Sequence, residues 1–299
     1  MVNPYRLPAP LKRPEAAPRT AYLISSGDQR ETANRAGWPT QQALEGALSK
    51  AFATFGWSIQ RAHAEDPATG HGFISSQAMG LRVFESVPLD APLIIAEAVW
   101  QYSHHVLHGL RSHRGPILTA ANFSGTWPGL VGMLGLNGGL TKMGKPYSTV
   151  WSEDFTDEWA LKCIDEWLGT GAITHDTSHV RSLPTLSEIA PDEVELGRAI
   201  ASRLLDAKAI IGIFDEGCMG MYNAIIDDEL LNPLGIYKER LSQSALYAEM
   251  LRVPEEDAIA VKAWLDAKGM TFRVGTDDLT ELTEGQLHEQ CKMLSLIHI

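Results

Sequence analysis

The chain has 299 residues, a length that suggests two domains and is also compatible with one large domain. Hydrophobic residues make up 44% and charged residues 21%, so a packed core is feasible and wholesale disorder is disfavoured. The formal net charge of -12 disfavours a nucleic-acid backbone or an anionic membrane as the main partner. A neutral small molecule, or an anion held by backbone donors, fits this charge better.

The cysteines and the amino terminus predict a reducing, cytoplasmic environment. Cys163, Cys218 and Cys291 lie far apart and form no CxxC pair, which disfavours a zinc ribbon and a disulfide framework. The first residues contain no apolar segment typical of a signal peptide, and no apolar run approaches the length of a membrane span. We therefore expect a cytoplasmic protein without a membrane partner.

Alternating strands and helices predict an α/β fold with two Rossmann-like parallel-sheet domains. Residues 1–19 are rich in proline and basic residues and predict an extended arm, and residues 20–180 are expected to form the first domain. Its predicted elements are strands at 21–24, 57–60, 93–99 and 116–121, and helices near 39–52, 75–87, 102–112, 127–140 and 155–168. Helices of about ten or more residues between strands indicate parallel pairing with right-handed crossovers.

A polar segment around Ser182-Leu183-Pro184 predicts a domain boundary, and residues 185–293 are expected to form a second, incomplete α/β domain. Its predicted elements are helices at 191–206, 242–251, 255–268 and 284–293, and strands at 209–214 and 271–274.

The last six residues, 294–299, have a sequence that is foreign to the pattern before them. They are the translation of CTG TCT CTT ATA CAC ATC, which resembles a transposon end used to build sequencing libraries. A natural short apolar strand is the alternative. Because the expected helix at 284–293 stops abruptly here, we predict an adapter translation, and a native gene that continues.

Three segments at predicted carboxyl ends of strands, beginning at Ser25, Val99 and Phe214, are candidates for ligand binding, since ligands of open parallel sheets gather there. Arg30 follows the first strand, and its fixed fork of donors suits diols and carboxylates; an ordinary solvated loop is the alternative. Trp100 follows the clearest buried strand. It either caps the core or offers a flat apolar wall and an indole N–H to a sugar.

Other motifs carry weaker signals. The Gly-x-x-Gly pattern from Gly217 to Gly220 lacks the full G-x-G-x-x-G of a dinucleotide site. His104 and His108 lie one helical turn apart, but position 105 is His rather than the Glu of H-E-x-x-H. We therefore expect these histidines to be solvated or to cap a helix, rather than to bind a metal.

The run from Phe73 to Leu81, read as Phe-Ile-Ser-Ser-Gln-Ala-Met-Gly-Leu, resembles the L-fucose isomerase family, with Ile74 as an extra residue. In that family a Phe-Ser-Ser-Gln-x-x-Gly-Leu run precedes a strand ending in Trp-x-Tyr, which Trp100-Gln101-Tyr102 matches. Gly217 to Met221 is similar to the family's Gly-Val-Ser-Met-Gly segment. With Leu234-Gly235-Ile236 downstream, the resemblance covers roughly residues 20–293.

The resemblance implies a fragment of an aldose–ketose isomerase for L-fucose, L-arabinose or a related sugar. Such enzymes have two Rossmann-like domains and a C-terminal domain, work through an ene-diol, and use manganese or another divalent cation. The resemblance implies that the catalytic residues and metal ligands lie beyond Met293, with the C-terminal domain missing. The fragment would then be inactive, with no cofactor bound. The whole enzyme would be a homo-oligomer, a trimer or hexamer.

The resemblance further assigns substrate contacts, typically to a neighbouring subunit's site, to Arg30, Trp100 and, by weaker similarity, Met219. The loop that carries Arg30 departs from the family's Asp-Gly-Arg-Arg pattern. A non-catalytic, two-lobed sugar-binding module is the main alternative, although the missing signal peptide disfavours it. A nicotinamide-dependent oxidoreductase is disfavoured by the incomplete glycine pattern.

Overall fold

The computed structural model of the protein describes residues 11–122, 127, 129–217, 220–277 and 281–297. The chain divides into two compact units, one made of Met1–Arg181 and Met219–Ile225 and the other of Ser182–Cys218 and Ile226–Ile299. The first contains a five-stranded parallel sheet with helices, which confirms the predicted Rossmann-like α/β fold.

The first unit alternates strands and helices through its described residues. In chain order they are β1 (Thr20–Ile24), α1 (Glu31–Thr54), β2 (Ser58–Arg61), α2 (Gln77–Ser86), β3 (Leu93–Glu97), α3 (Leu107–Ser112), β4 (Ile117–Asn122), α4 (Gly129–Lys142), β5 (Ser148–Ser152) and α5 (Glu158–Thr170). Short 3-10 turns lie at Ser103–His105 and Tyr222–Ala224. The strand order is β2-β1-β3-β4-β5, so the direction of winding reverses between β1 and β3.

Two apolar clusters cover the faces of this sheet. On one face, α1 and α5 contribute Leu48, Phe52 and Trp167 against the strands. On the other face, α2, α3 and α4 supply residues such as Phe84 and Leu136. The central strands β1, β3 and β4 are buried along their whole length, because helices cover both faces of a parallel sheet.

Helix α1 begins at Glu31, so the predicted start near Pro39 is wrong. Asn34 and Gly37 are buried ahead of the proline, and Trp38 packs edge-on against Phe73 with ring centroids 5.2 Å apart. These tertiary contacts offset the cost of a proline inside a helix, which is about 3 kcal/mol.

The predicted helix at 102–112 is interrupted. The backbone N–H of Tyr102 donates to the carbonyl of Gly27 at 3.1 Å, and its own carbonyl accepts from Ser26 Oγ at 3.0 Å. The chain is therefore tied to the loop after β1, and only a 3-10 turn follows before α3 begins at Leu107.

The second unit has a two-stranded parallel sheet among its described residues. Its elements are α6 (Pro191–Ala207), β6 (Ala209–Phe214), α7 (Asp228–Leu231), β7 (Ile236–Leu241), α8 (Gln243–Met250), α9 (Glu255–Ala267) and α10 (Glu284–Ile297), with 3-10 turns at Leu186–Glu188 and Asn232–Leu234. A small cluster of Ala258, Leu287 and Cys291 packs α9 against α10.

Two expectations for the second unit are wrong. No strand spans 271–274 in the described chain: Val274 forms only an isolated bridge with Leu282, because Phe272 is used to pack against the α9–α10 cluster. Helix α10 runs to Ile297, so the expected end of this helix at Met293 is wrong, and residues 294–297 continue it. Among the described residues, every helix falls short of the combined length and apolar character that a bilayer span requires.

Candidate functional site

The candidate site lies where the winding of the first sheet reverses, at the carboxyl ends of β1 and β3. In open parallel sheets this position leaves a crevice between loops that turn to opposite faces. The loop after β1 runs alongside Ile74. Ser26 forms a parallel bridge with Ile74, and the backbone N–H of Gly27 donates to the carbonyl of Ile74 at 3.0 Å. Gly27 is required here, because a Cβ would lie 2.4 Å from Asn34 Oδ1.

Arg30 is held in a fixed orientation by a buried carboxylate. Its Nε and Nη2 donate to the two oxygens of Asp28 at 3.0 and 2.6 Å, a bidentate pair. The side chain of Arg30 is 67% exposed and that of Asp28 only 6%. The pair therefore leaves the outer Nη1 donor of Arg30 facing away from Asp28, where it can meet a ligand oxygen.

The ionisation of this pair follows from its geometry. Burial alone would raise the pKa of Asp28, but the hydrogen bonds and charge of Arg30 outweigh it, so the pKa lies below its usual value. The bonds and charge of Asp28 raise the pKa of Arg30, and the nearby Tyr102 adds a smaller contribution. Both groups are charged at neutral pH.

Asn34, in the first turn of α1, supports the loop from below. Its side-chain oxygen accepts from the backbone N–H of Asp28, and its side-chain nitrogen donates to the carbonyl of Asp28, both at 2.8 Å. Asn34 is 1% exposed, so this reciprocal pair is shielded from water. It fixes the loop to the helix and with it the position of Asp28.

Trp100 and Gln101, which follow β3, present two unpartnered polar atoms. Gln101 is buried and donates through Nε2 to the carbonyl of Gly132 on α4 at 3.2 Å. Its Oε1 and the Nε1 of Trp100 are buried and have no hydrogen-bond partner among the described residues. Both side chains line a small cleft of about 10 Å³, bordered by Gly132, Gly135 and Gly220. A donor and an acceptor in one cleft match the needs of a hydroxyl group, which both accepts and donates.

His105 lies beneath the same loops and is buried, so the expectation of a solvated or capping residue is wrong for it. Its Nδ1 is 3.0 Å from the carbonyl of Ile74 and 3.3 Å from Ser26 Oγ, and its ring stacks on Tyr102 at 5.4 Å. Since a carbonyl only accepts, Nδ1 carries the proton and Nε2 is a bare acceptor without a partner in the described chain. Burial lowers the pKa of His105, so it is neutral.

Glu97, the last residue of β3, is completely buried. Neither of its carboxyl oxygens has a hydrogen-bond partner of ordinary geometry among the described residues. Burial raises its pKa well above the usual value, and the backbone N–H of Ser26 opposes that shift only in part. Glu97 is therefore a neutral carboxylic acid under the candidate site.

Hydrogen bonds and an ion pair of Arg61 also hold the loop after β1 in place. Arg61, at the end of β2, donates to the carboxylate of Glu45 at 2.7 Å and to Ser25 Oγ at 2.6 Å. It also donates to the carbonyls of His63 and Gly72, each at 2.8 Å. Burial and the charge of Arg61 lower the pKa of His63 to about 3, so His63 is neutral at pH 7.

The structure describes two of the three residues that were expected to contact substrate. Arg30 and Trp100 lie after β1 and β3, as the sequence predicts, and the structure shows that the winding reverses between these two strands. Met219 lies outside the described residues. Asp28, Glu97 and His105 were not predicted as part of this region, although one signal was available: Glu97 is an ionisable residue that ends an otherwise apolar strand.

The residues of this region do not form a metal centre. Across the described ranges, no group of three or more His, Cys, Asp or Glu side chains is arranged to hold a metal ion. Manganese requires several oxygen or nitrogen ligands, so we assign no metal-dependent step to these residues.

No protein-family model matches the sequence, and no curated protein matches it significantly.

Proposed function

We propose that this chain is the amino-terminal part of an aldose–ketose isomerase of the L-fucose/L-arabinose type, and that its first unit contributes substrate contacts. The observation that carries the proposal is the cleft beside Trp100, where an unpartnered indole N–H and an unpartnered Gln101 carbonyl accompany a flat aromatic ring. A cleft of about 10 Å³ has room for one hydroxyl group, which would reach the two polar atoms while the sugar's C–H face lies against the half-buried ring of Trp100.

Arg30 is the second contact in this proposal. It follows the neighbouring strand, and Asp28 fixes its guanidinium while leaving it largely exposed. Holding a long side chain in one orientation lowers the entropy lost when a ligand binds. The residues Asp28, Asn34 and Arg61 act as supports and do not touch the sugar.

The chemistry of isomerisation would be supplied by residues outside this chain. In the proposed enzyme, carboxylates would move a proton through an ene-diol, and manganese or another divalent cation would polarise the sugar oxygens. The proposal includes a cytoplasmic location and a trimeric or hexameric assembly. Arg30, Trp100 and Met219 would then face a site completed by a neighbouring subunit.

A second candidate is a non-catalytic sugar-binding module. The two candidates differ in the form of sugar that they hold. Formation of an ene-diol requires the open chain, whereas a binding module for free sugars selects the ring form that dominates in water.

The test compares L-fucose, which is mostly cyclic, with L-fucitol, which has no carbonyl and remains open. Both are titrated into the whole chain, and binding is followed by ligand-observed NMR. The isomerase proposal predicts that L-fucitol binds at least as tightly as L-fucose. A clear preference for L-fucose would overturn it in favour of the binding module, and no saturable binding of either would overturn both.

A further inference from the structure

A second aromatic surface lies on the first unit, at the carboxyl end of the edge strand β5. Trp151, on β5, and Trp159, on α5, contact each other with ring centroids 4.7 Å apart and planes inclined by 53°. His175 stacks on Trp159 at 6.0 Å. The two tryptophans are 36% and 40% exposed, so a pair of large rings is open to solvent. We therefore treat this aromatic pair as a candidate binding surface.

The rings form one wall of a cleft of about 330 Å³, which we call the Trp151–Trp159 cleft. Its remaining lining residues are Ser152, Glu153, Asp154 and Asp157. The cleft therefore combines two indole faces with three carboxylates, and none of its lining residues is basic. Lys50 lines the neighbouring groove, which shares Asp154, but among the described residues it forms no ion pair with that carboxylate.

Two of the carboxylates are fixed by the local fold. Asp157 caps α5 by accepting from the backbone N–H of Ala160 at 2.8 Å, and it also accepts from Ser152 Oγ at 2.5 Å. Asp154 accepts from the N–H and hydroxyl of Thr156, which lowers its pKa. Their negative charges are therefore kept in place beside the rings, and among the described residues that line the cleft no Lys or Arg pairs with them.

We propose that the Trp151–Trp159 cleft binds a small organic cation, of the methylated ammonium type. The faces of tryptophan rings attract a cation through the ring quadrupole, and tryptophan is the strongest of the aromatic side chains in this respect. Three carboxylates add attraction for a positive group and repel an anion. A neutral sugar gains little from such a charge, which separates this cleft from the candidate site at β1 and β3.

The proposal is tested with choline and its neutral isostere, 3,3-dimethylbutan-1-ol, which have nearly the same shape. Each is titrated into the ¹⁵N-labelled whole chain, and the indole N–H resonances are followed by NMR. The resonances of Trp151 and Trp159 are assigned by their loss in Trp151→Phe and Trp159→Phe variants. We expect saturable shifts at these two resonances with choline, and binding of the isostere that is weaker by roughly fivefold or more.

Matched variants separate the cleft from the rest of the surface. Trp159→Ala is expected to weaken choline binding by roughly tenfold. Glu153→Gln, which changes an exposed side chain and leaves the fold intact, should weaken it by roughly threefold. The control Trp264→Ala removes an exposed tryptophan of the second unit and should leave choline binding unchanged.

Three results would overturn the proposal. They are equal binding of choline and the isostere, unchanged affinity in both Trp159→Ala and Glu153→Gln, and displacement of choline by L-fucitol. Failure of L-fucitol to bind anywhere would count against the proposed function and would leave this cleft unaffected.

Discussion

At the scale of single residues, the buried carboxyl of Glu97 makes a specific prediction about pH. The pKa of Glu97 is raised in the folded state. At pH values above the usual pKa of a glutamate, the folded protein therefore keeps a proton on Glu97 that the unfolded chain releases. The stability associated with Glu97 is therefore present at low pH and is lost as the pH rises toward and through the raised pKa. In this window the free energy of unfolding falls by up to about 1.4 kcal/mol per pH unit.

Glu97→Gln should remove this dependence, because the amide needs no proton to stay neutral. The stability difference between Glu97→Gln and the parent protein should grow in favour of the variant from pH 5 to pH 8. Urea unfolding at several pH values measures it, and titration of His63 and His113 cancels because both proteins contain them. The exposed Glu85→Gln serves as the control. Parallel pH profiles for the Glu97 variant and the parent would show that Glu97 is not held neutral.

At the scale of elements, the contact between the β1 loop and α1 depends on Asn34. Asn34→Ala removes both 2.8 Å hydrogen bonds to the backbone of Asp28 and leaves two buried groups without partners. We expect a loss of about 2–3 kcal/mol in the free energy of unfolding. Because Arg30 is positioned through Asp28, affinity for L-fucitol should also fall, by roughly threefold.

The matched control is Gln42→Ala, on the same helix, whose hydrogen bond to Glu65 is exposed. That variant should change the free energy of unfolding by less than about 0.5 kcal/mol. Denaturant melts and L-fucitol titrations on both variants provide the measurements. A loss for Asn34→Ala no larger than for the control would mean that the loop holds itself in place.

Strands that form a mainly apolar run were predicted correctly from the sequence, and two strands without such a run were missed. Strands β1 and β3 are mainly apolar runs, and the sequence predicts both strands and places Arg30 and Trp100 in the segments that follow them. Strand β5 was missed, because the run Ser148–Ser152 buries two serines and one valine and carries no apolar signature. Strand β7, Ile236–Leu241, was missed since three of its residues are charged.

The burial of His105 could not be predicted from the sequence either. His104, His105 and His108 look alike in the chain, and only the contacts of Ile74 and Ser26 place His105 inside. Those contacts join positions far apart in sequence, which periodicity cannot detect. The candidate site was therefore predictable in its location and its exposed residues, and not in the buried groups beneath it.

At the scale of the whole molecule, the first unit includes a segment that is remote in sequence, Met219–Ile225. The carbonyl of Gly220 accepts from Ser103 Oγ at 2.8 Å, and the ammonium of Lys142 lies 4.6 Å from the ring of Tyr222. This segment borders the cleft of Trp100, to which Met221 and Asn223 contribute. The residues that follow Met219 therefore lie near the proposed sugar contact, although they are remote in sequence.

The most direct measurement of the proposed site is the affinity of the whole chain for L-fucitol with and without the ring of Trp100. The parent protein, Trp100→Ala and the control Trp264→Ala are titrated by ligand-observed NMR, and each is also melted thermally. We predict saturable binding by the parent and the control, and a loss of about 1–3 kcal/mol in Trp100→Ala with little change in melting temperature. Unchanged affinity in Trp100→Ala together with a large drop in melting temperature would contradict the account, since Trp100 would then only cap the core.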